Sequence, residues 1–260
     1  MDATAPKYVC RHCDRQLEWQ EATLCCPNCE RTVPLEDGIP RFPAPEVTGP
    51  SGTVFDWLAP VYETPLWFDP LYRFVGGPTA PWNDRSRIAS LLALEDEGRG
   101  KTVLDVACGT GRFTRHIADD VAAVTGIDIS DGMLERAQRY ASRDGIDNVA
   151  FARMSADELW FDADTFDRVA CCWALHLFPD VDATLAEVHR VLQPGGRFAG
   201  AVLVDEFVFD VPPVRAVARG ALDADPFDVE DLRERLRTAG FSQIEFDRRG
   251  ATLFFRADVE

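Results

Sequence analysis

Residues 103–112, VLDVACGTGR, run from an apolar stretch into an acid, a cysteine and two glycines. No other segment limits the fold as much. An apolar strand that turns through Gly109 and Gly111 into a helix brings backbone N–H groups close to a ligand, because glycine has no Cβ to hold it off. Dinucleotide-binding loops are built this way too, but their fingerprint puts a third glycine at a fixed offset. That position is Thr114 here. Asp105 also sits at the end of the strand, where it would repel a pyrophosphate. A ligand with a positive end and no phosphate suits it better. The following segment, Gly126-Ile127-Asp128-Ile129-Ser130, ends a second strand on an acid, Asp128. A carboxylate there can accept both hydroxyls of a ribose.

After Gly100 the pattern alternates between the two periods. Residues 101–106, 121–129, 148–153, 166–172 and 197–204 read as strands. Between them, Phe113 and Ile117 share a helix face, and Asp131 can cap a helix carrying Met133, Leu134, Ala137 and Tyr140. Residues 182–192 form a further helix closed by Pro194-Gly195-Gly196. Strands separated by helices imply right-handed crossovers and a parallel sheet. The tail differs. A helix at 228–239 stops at Gly240, and two strand-like runs, 241–248 and 251–257, follow with almost nothing between them. So short a connection makes them antiparallel. Upstream, residues 43–52 are punctuated by proline and glycine, 54–77 are rich in aromatics, and 84–97 have helical spacing behind an Asp84 cap.

Five of the eight cysteines fall in the first 29 residues. Cys10-Arg-His-Cys13 and Cys26-Pro-Asn-Cys29 are two C-x2-C pairs, each on a tight turn that aims two thiolates at one point. Two such turns make the tetrahedral sulfur site that structural Zn²⁺ prefers. Disulfides would need an oxidising compartment that no other feature supports. Cys25 breaks the spacing and is left out. A module this small cannot bury enough apolar area to fold alone, so metal would be its main stabilisation.

Together these segments resemble the class I S-adenosylmethionine-dependent methyltransferases over roughly residues 54–260, preceded at 7–43 by a zinc ribbon similar to the Trm112 type. The resemblance implies a Rossmann-like α/β fold, a seven-stranded methyltransferase sheet that is mostly parallel with its last strand antiparallel. It divides the chain into a ribbon (1–45), a linker and helical cover (46–98) and a cofactor-binding domain (99–260). It implies cofactor contacts from Asp105, Ala107, Gly109 and Gly111, from Asp128 and Ile129, and from Met133 against the adenine. Where the family's third strand ends in Gly-Asp-Ala, this chain has Met154-Ser155-Ala156, so Ser155 and Ala156 take the adenine edge. Cys172 falls in the stretch that faces cofactor and substrate in relatives. Phe55-Asp56-Trp57-Leu58-Ala59-Pro60-Val61-Tyr62 resembles the entry segment of the quinone-methylating branch, with Tyr62 as a contact. His176 is the one histidine at a site position, where it would be a catalytic base.

The implied function is transfer of a methyl group from S-adenosylmethionine to a small or lipid-like acceptor such as a quinone ring. Structural Zn²⁺ would be held by Cys10, Cys13, Cys26 and Cys29. A second reading is an rRNA guanine methyltransferase, a group that also joins a zinc module to this domain; Arg11, Arg15, Arg31 and Arg41 would be its basic stripe. A third is a non-catalytic binding module that docks a protein partner through the ribbon. Charge argues against nucleic acid: 44 acidic residues outweigh 27 basic ones, for a net charge of −17. No apolar run is long enough to span a membrane and no secretory signal is visible, so a cytoplasmic location is expected.

Overall fold

The computed structural model describes residues 6–44, 84–205 and 225–260. Two sheets organise them. The small one is antiparallel in the order β1 (Glu18–Gln20), β2 (Thr23–Cys25), β3 (Thr32–Glu36), β4 (Ile39–Pro40). The large one comprises β5 (Thr102–Val106), β6 (Ala123–Asp128), β7 (Val149–Arg153), β8 (Phe166–Cys172), β9 (Leu192–Leu203), β10 (Ser242–Arg249) and β11 (Thr252–Asp258). Its spatial order is β10-β11-β9-β8-β5-β6-β7. Strands β5 to β9 are parallel, and β11 runs antiparallel to both β9 and β10. This is the architecture expected from the alternating pattern and the paired tail.

Period-two alternation sorts the strands between two layers. Leu104 and Val106 face one side of β5, and Val103 the other. In β11, Leu253 and Phe255 lie on the first side, and Phe254 on the second. Helices α5 (Val181–Val191) and α6 (Val229–Thr238) cover the first side through Leu185, Val188, Leu232 and Leu236. The second side is covered by α1 (Asp84–Leu91), the short α2 (Leu94–Glu97) and α3 (Arg112–Ile117). Helix α4 (Asp131–Arg143) turns Leu134, Ala137 and Ala141 towards Phe151 of β7. These residues, at i, i+3 and i+7, make one helix face.

Local chemistry adjusts several boundaries. The cap of α4 is Ser130, whose hydroxyl accepts from the Met133 N–H at 3.2 Å; Asp131, expected as the cap, is the first helical residue. Asp180 caps α5 and Asp228 caps α6 in the same manner. The helix expected over 84–97 is broken at Ala93, which sits in the left-handed region at φ 56°. Asp84 is the first helical residue, and its carboxylate accepts from Arg112 Nη1 and Trp173 Nε1, each at 3.2 Å.

The small sheet wraps the outer edge of the large one. Arg41 pairs with Arg153 of β7, and the Phe42 N–H donates to the Arg153 carbonyl at 2.9 Å. On one side of this edge Phe42 packs 5.2 Å from the Trp160 ring and 4.8 Å from Tyr8, which stacks on Phe161. On the other side Ile39 joins Leu134, Ala137 and Phe151. Edge strands left bare invite pairing with other chains, and this one is covered. Tyr8, Leu17, Leu24, Val33 and Phe42 all belong to one continuous core with the large sheet. Phe42→Ala is therefore expected to remove about 3–5 kcal/mol from the whole protein. Circular dichroism and tryptophan fluorescence should report one coincident transition at lower temperature; two separate transitions would show the sheets to be independent.

Candidate functional site

The carboxyl ends of β5 and β6 meet at a cleft, and their loops hold two carboxylates in different states. Asp105 closes β5 on its buried side, with 1% of its surface exposed. Its Oδ2 accepts from the Thr114 hydroxyl at 2.6 Å, and its Oδ1 has no partner among the described residues. Thr114, which stands where a dinucleotide loop has glycine, is thus the clasp on the acid. Burial pushes the Asp105 carboxyl up to about 7, against the pull of the Thr114 hydroxyl and N–H, while the charge of Asp128 adds to the rise. Asp128 at the end of β6 is clasped by backbone instead. The Gly109 N–H donates to its Oδ2 at 2.8 Å and the Ser130 N–H to its Oδ1 at 2.9 Å. A carboxylate has about four lone-pair sites. These two bonds fix its plane at the lip of the cleft.

Between the two acids the chain doubles back. Ala107, Gly109 and Gly111 all have positive φ, at 54°, 54° and 71°. Glycine adopts this region freely, whereas Ala107 is strained there. A Cβ on Gly111 would lie 3.2 Å from Ala137 and 3.3 Å from the Phe151 ring, so the turn also seats α3 closely on its neighbours. Trp173, just past β8, is strained in the same sense at φ 66°.

Two cavities meet at Ala107. One, of about 90 Å³, is lined by Ile127, Asp128, Ile129, Met154, Ser155, Ala156 and Asp157, with Phe178, Pro179, Asp180 and Thr184 opposite. The other, of about 40 Å³, is lined by Asp84, Arg85, Asp105, Cys108, Gly109, Arg112, Phe113, Cys172 and Trp173. The donor sets differ. The first offers apolar faces and carboxylates, which suit a base and a ribose. The second sets carboxylates beside guanidiniums, which suits a zwitterionic amino acid. The chemistry of the pair, though not their enclosed volumes, matches an adenosine joined to an amino acid, and the orphaned Asp105 oxygen suits an ammonium.

Of the expected residues, Asp105, Ala107, Gly109, Asp128, Ile129, Ser155, Ala156 and Cys172 line these cavities, and Gly111 shapes the turn. Met133 does not line them. It is a buried residue of the first turn of α4, and Met154, whose sulfur accepts from the Trp160 N–H at 3.3 Å, lines the cavity instead. Ser155 donates to the carboxylate of Asp157, which itself faces the cavity. His176 lies apart, buried in the turn Leu175–Leu177, with Nδ1 accepting from the Leu203 N–H at 3.4 Å. Burial lowers its basicity to about 3. Tyr62 and the segment around it lie outside the described residues. Asp84, Arg112, Trp173 and Asp157 do not read as site residues in the sequence, where Asp84 reads as a helix cap. The available signals are an acid two positions past Ser155 and the place of Trp173 beside Cys172.

The cysteine pairs converge as their spacing requires. The sulfurs of Cys10, Cys13, Cys26 and Cys29 lie within 4.8 Å of one another. Cys13–Cys26 is 3.4 Å, Cys10–Cys29 3.6 Å and Cys13–Cys29 3.8 Å. Tetrahedral Zn²⁺ with bonds of 2.3 Å needs sulfurs about 3.8 Å apart, so the set fits this ion. The two turns are equivalent: Asp14 and Glu30 each donate an N–H to the carbonyl of the first cysteine, at 2.8 and 3.0 Å. Cys25 points away, towards the Cys26 carbonyl. Burial pushes the thiols of Cys108, Cys171 and Cys172 up, which keeps them protonated and poor nucleophiles.

Comparison with known proteins agrees with this geometry. A family profile described as a methyltransferase domain matches residues 103–196. A demethylmenaquinone methyltransferase of Symbiobacterium thermophilum is 35% identical over 179 residues, 56% of this chain and 70% of that protein. A ubiquinone/menaquinone biosynthesis C-methyltransferase of Agrobacterium fabrum is 32% identical over 194 residues, 64% and 72% of the two chains. Among solved structures, a Haemonchus contortus phosphoethanolamine N-methyltransferase with S-adenosylhomocysteine bound matches with a TM-score of 0.64 at 18% identity, covering 84% of this chain and 61% of that one. A chain of a Haloferax volcanii complex containing the Trm112 methyltransferase activator matches with a TM-score of 0.61 at 22% identity, covering 79% and 97%. At these identities the structural matches speak for the fold.

The raised Asp105 carboxyl has a consequence for the free protein. Its unfolded value is that of an ordinary carboxylate, so from roughly pH 4 upward the folded chain holds the proton more tightly. The stability this confers is present at the acid end and lost as pH rises through about 7. Asp105→Asn is expected to flatten the fall in melting temperature between about pH 4 and about pH 7. An unchanged slope would mean that Asp105 ionises normally.

Proposed function

The chain belongs to the S-adenosylmethionine-dependent methyltransferase family, and we propose that its two joined cavities hold that cofactor while a small or lipid-like molecule, of the quinone-ring type, accepts the methyl group. One observation carries the cofactor assignment: Asp128, held by two backbone N–H groups at the cavity lip, lies across Ala107 from an orphaned, buried Asp105 oxygen. Asp128 accepts the ribose hydroxyls. Asp157, oriented by Ser155, accepts from the adenine amino group in place of the acid absent at position 155. Ile129 and Met154 supply apolar contact for the ring. At the other end Asp105 faces the ammonium, and Arg112, braced by Asp84, faces the carboxylate.

When bound, S-adenosylmethionine supplies an activated methyl group on a sulfonium. The protein's part is orientation and exclusion of water. The strained Ala107 and Trp173 bring two strand ends close to the reacting position. We give His176 a structural role, because an imidazole of such low basicity joined to the Leu203 N–H is a poor base. Zn²⁺ on the four cysteines holds the ribbon's two turns together and takes no part in the transfer.

The quinone-type acceptor is supported by the names of the two relatives described above, at 35% and 32% identity. The RNA reading is weakened by the stripe itself. Arg11 turns inward to Glu187 at 3.2 Å and Arg41 to Asp131 at 2.5 Å, which leaves only Arg15 and Arg31 exposed to solvent.

Calorimetry with S-adenosylhomocysteine tests the cofactor site. Asp128→Ala should weaken binding about 100-fold, the loss of two charge-assisted bonds at roughly 1.5 kcal/mol each. Asp157→Ala should weaken it about tenfold. A wild type that ignores the ligand sinks the assignment, and an unaffected Asp157→Ala sinks that residue's part. For the acceptor, label from the methyl group should enter a demethylated quinone and not ribosomal RNA; the reverse overturns the reading. Cys10→Ser and Cys26→Ser should each lose stoichiometric zinc and melt earlier than wild type. Retention of one zinc per chain by either variant would exclude that cysteine as a ligand.

A further inference from the structure

The ribbon reaches the cleft through one side chain. Between Ile39 on one side of the β7 edge and Phe42 on the other, the backbone of Arg41 is held twice. Its N–H donates to the Pro34 carbonyl at 2.9 Å inside the ribbon, and it bridges to Arg153 of β7. Its side chain, only 8% exposed, extends to Asp131, the first residue of α4, with Nη1 to Oδ1 at 2.5 Å. Arg153 approaches the same Oδ1 at 3.6 Å and donates from Nε to the Ile129 carbonyl at 3.2 Å. Two guanidiniums, one from each sheet, thus hold the 128–131 turn at Ile129 and Asp131.

That turn sets the ribose carboxylate. One of the two bonds orienting Asp128 comes from the Ser130 N–H, directly before Asp131. The Asp128 carbonyl is also tied to β7 through the Met154 N–H at 3.0 Å. Ile39 of the ribbon also belongs to the apolar cluster that contains Cys108, Leu134 and Phe151. The Gly109 N–H supplies the second bond to Asp128. One of the two donors that aim the carboxylate, the Ser130 N–H, is therefore the neighbour of the residue that the ribbon's Arg41 holds.

We infer that Arg41 is a positioning residue for the cofactor: acting through Asp131, it holds the 128–131 turn so that Asp128 faces the ribose, and the ribbon serves the cofactor cavity in cis. The inference rests on the reading of that cavity as the adenosine site. A ribbon that only stabilises the fold would lower the melting temperature without altering the affinity of the molecules that remain folded.

The test is S-adenosylhomocysteine binding by calorimetry on zinc-loaded, full-length protein. Arg41→Ala should raise Kd about tenfold, with zinc stoichiometry unchanged and unfolding still cooperative. Arg41→Lys, which keeps the charge, should recover part of the loss. Asp131→Asn should weaken binding to a similar degree, and the double variant should be no worse than either single one, because both cut the same link. Wild-type affinity in folded Arg41→Ala or in Asp131→Asn overturns the inference, as do losses that multiply in the double variant. Should Arg41→Ala fail to fold, Asp131→Asn decides, since Asp131 is half exposed and Ser130 caps the helix. A wild type that does not bind S-adenosylhomocysteine at all refutes the cavity assignment itself. Loss of binding confined to Arg41→Ala and Asp131→Asn leaves that assignment intact.

Discussion

A buried carboxylate with one satisfied oxygen is costly in the free protein, and the rest of this site is arranged around it. Asp105 lies at the carboxyl end of β5, the strand at which the order of the parallel sheet reverses direction, with β6 and β7 on one side and β8 and β9 on the other. Crossovers leave such a strand in opposite directions and open a crevice above it. Thr114 fills one side of the carboxylate and Asp128 repels it from another. A cationic group of a ligand beside the bare oxygen would relieve this strain, and an anionic group there would add to it.

The second dependence runs through the edge of the sheet. β7 would be an open edge, and the cysteine module would be too small to bury its own apolar residues. Each solves the other's problem. Tyr8 and Phe42 complete a core with Trp160 and Phe161, while Ile39 crosses to the face of α4. A further tie runs from Arg11, inside the first cysteine turn, to Glu187 of α5, which also accepts from the Leu159 N–H and from Arg190. Arg190 in turn donates to the carbonyls of Leu159 and Phe161. The loop that carries Ser155 and Asp157 therefore ends on a segment anchored by both modules.

Much of this was legible beforehand, for a local reason. Strand alternation, the glycine turn and the C-x2-C spacing each involve residues close in the chain, whose geometry follows from backbone periodicity and sterics. The parallel sense of β5 to β9 and the antiparallel tail needed only the alternation of strands with helices and the short tail connection; the spatial order of the strands was not read from the sequence. The misplaced residues depended on rotation and distance instead. Met133 lies in the first turn of α4, whose roll is set by Leu134 and Ala137 against Phe151; it is buried, and Met154 lines the cavity instead. Asp84 looked like a cap because it precedes a helical pattern. Its partners Arg112 and Trp173 are far along the sequence and adjacent only across the sheet.

The sequence by itself determined the sheet, the four-sulfur cluster and the two acids at the strand ends, because each follows from spacing along the chain and the chemistry of the side chain. Tertiary structure decided what those acids experience. Whether a carboxylate is clasped by two N–H groups or left with a bare oxygen depends on which loop lies above it, and that is set by packing between distant elements. It also decided the fate of the arginines. Arg11 and Arg41 read as a basic surface in the sequence, yet the wrap of the ribbon around β7 turns both inward onto acids, since a guanidinium held beside a carboxylate at an interface is more favourable there than one left unpaired.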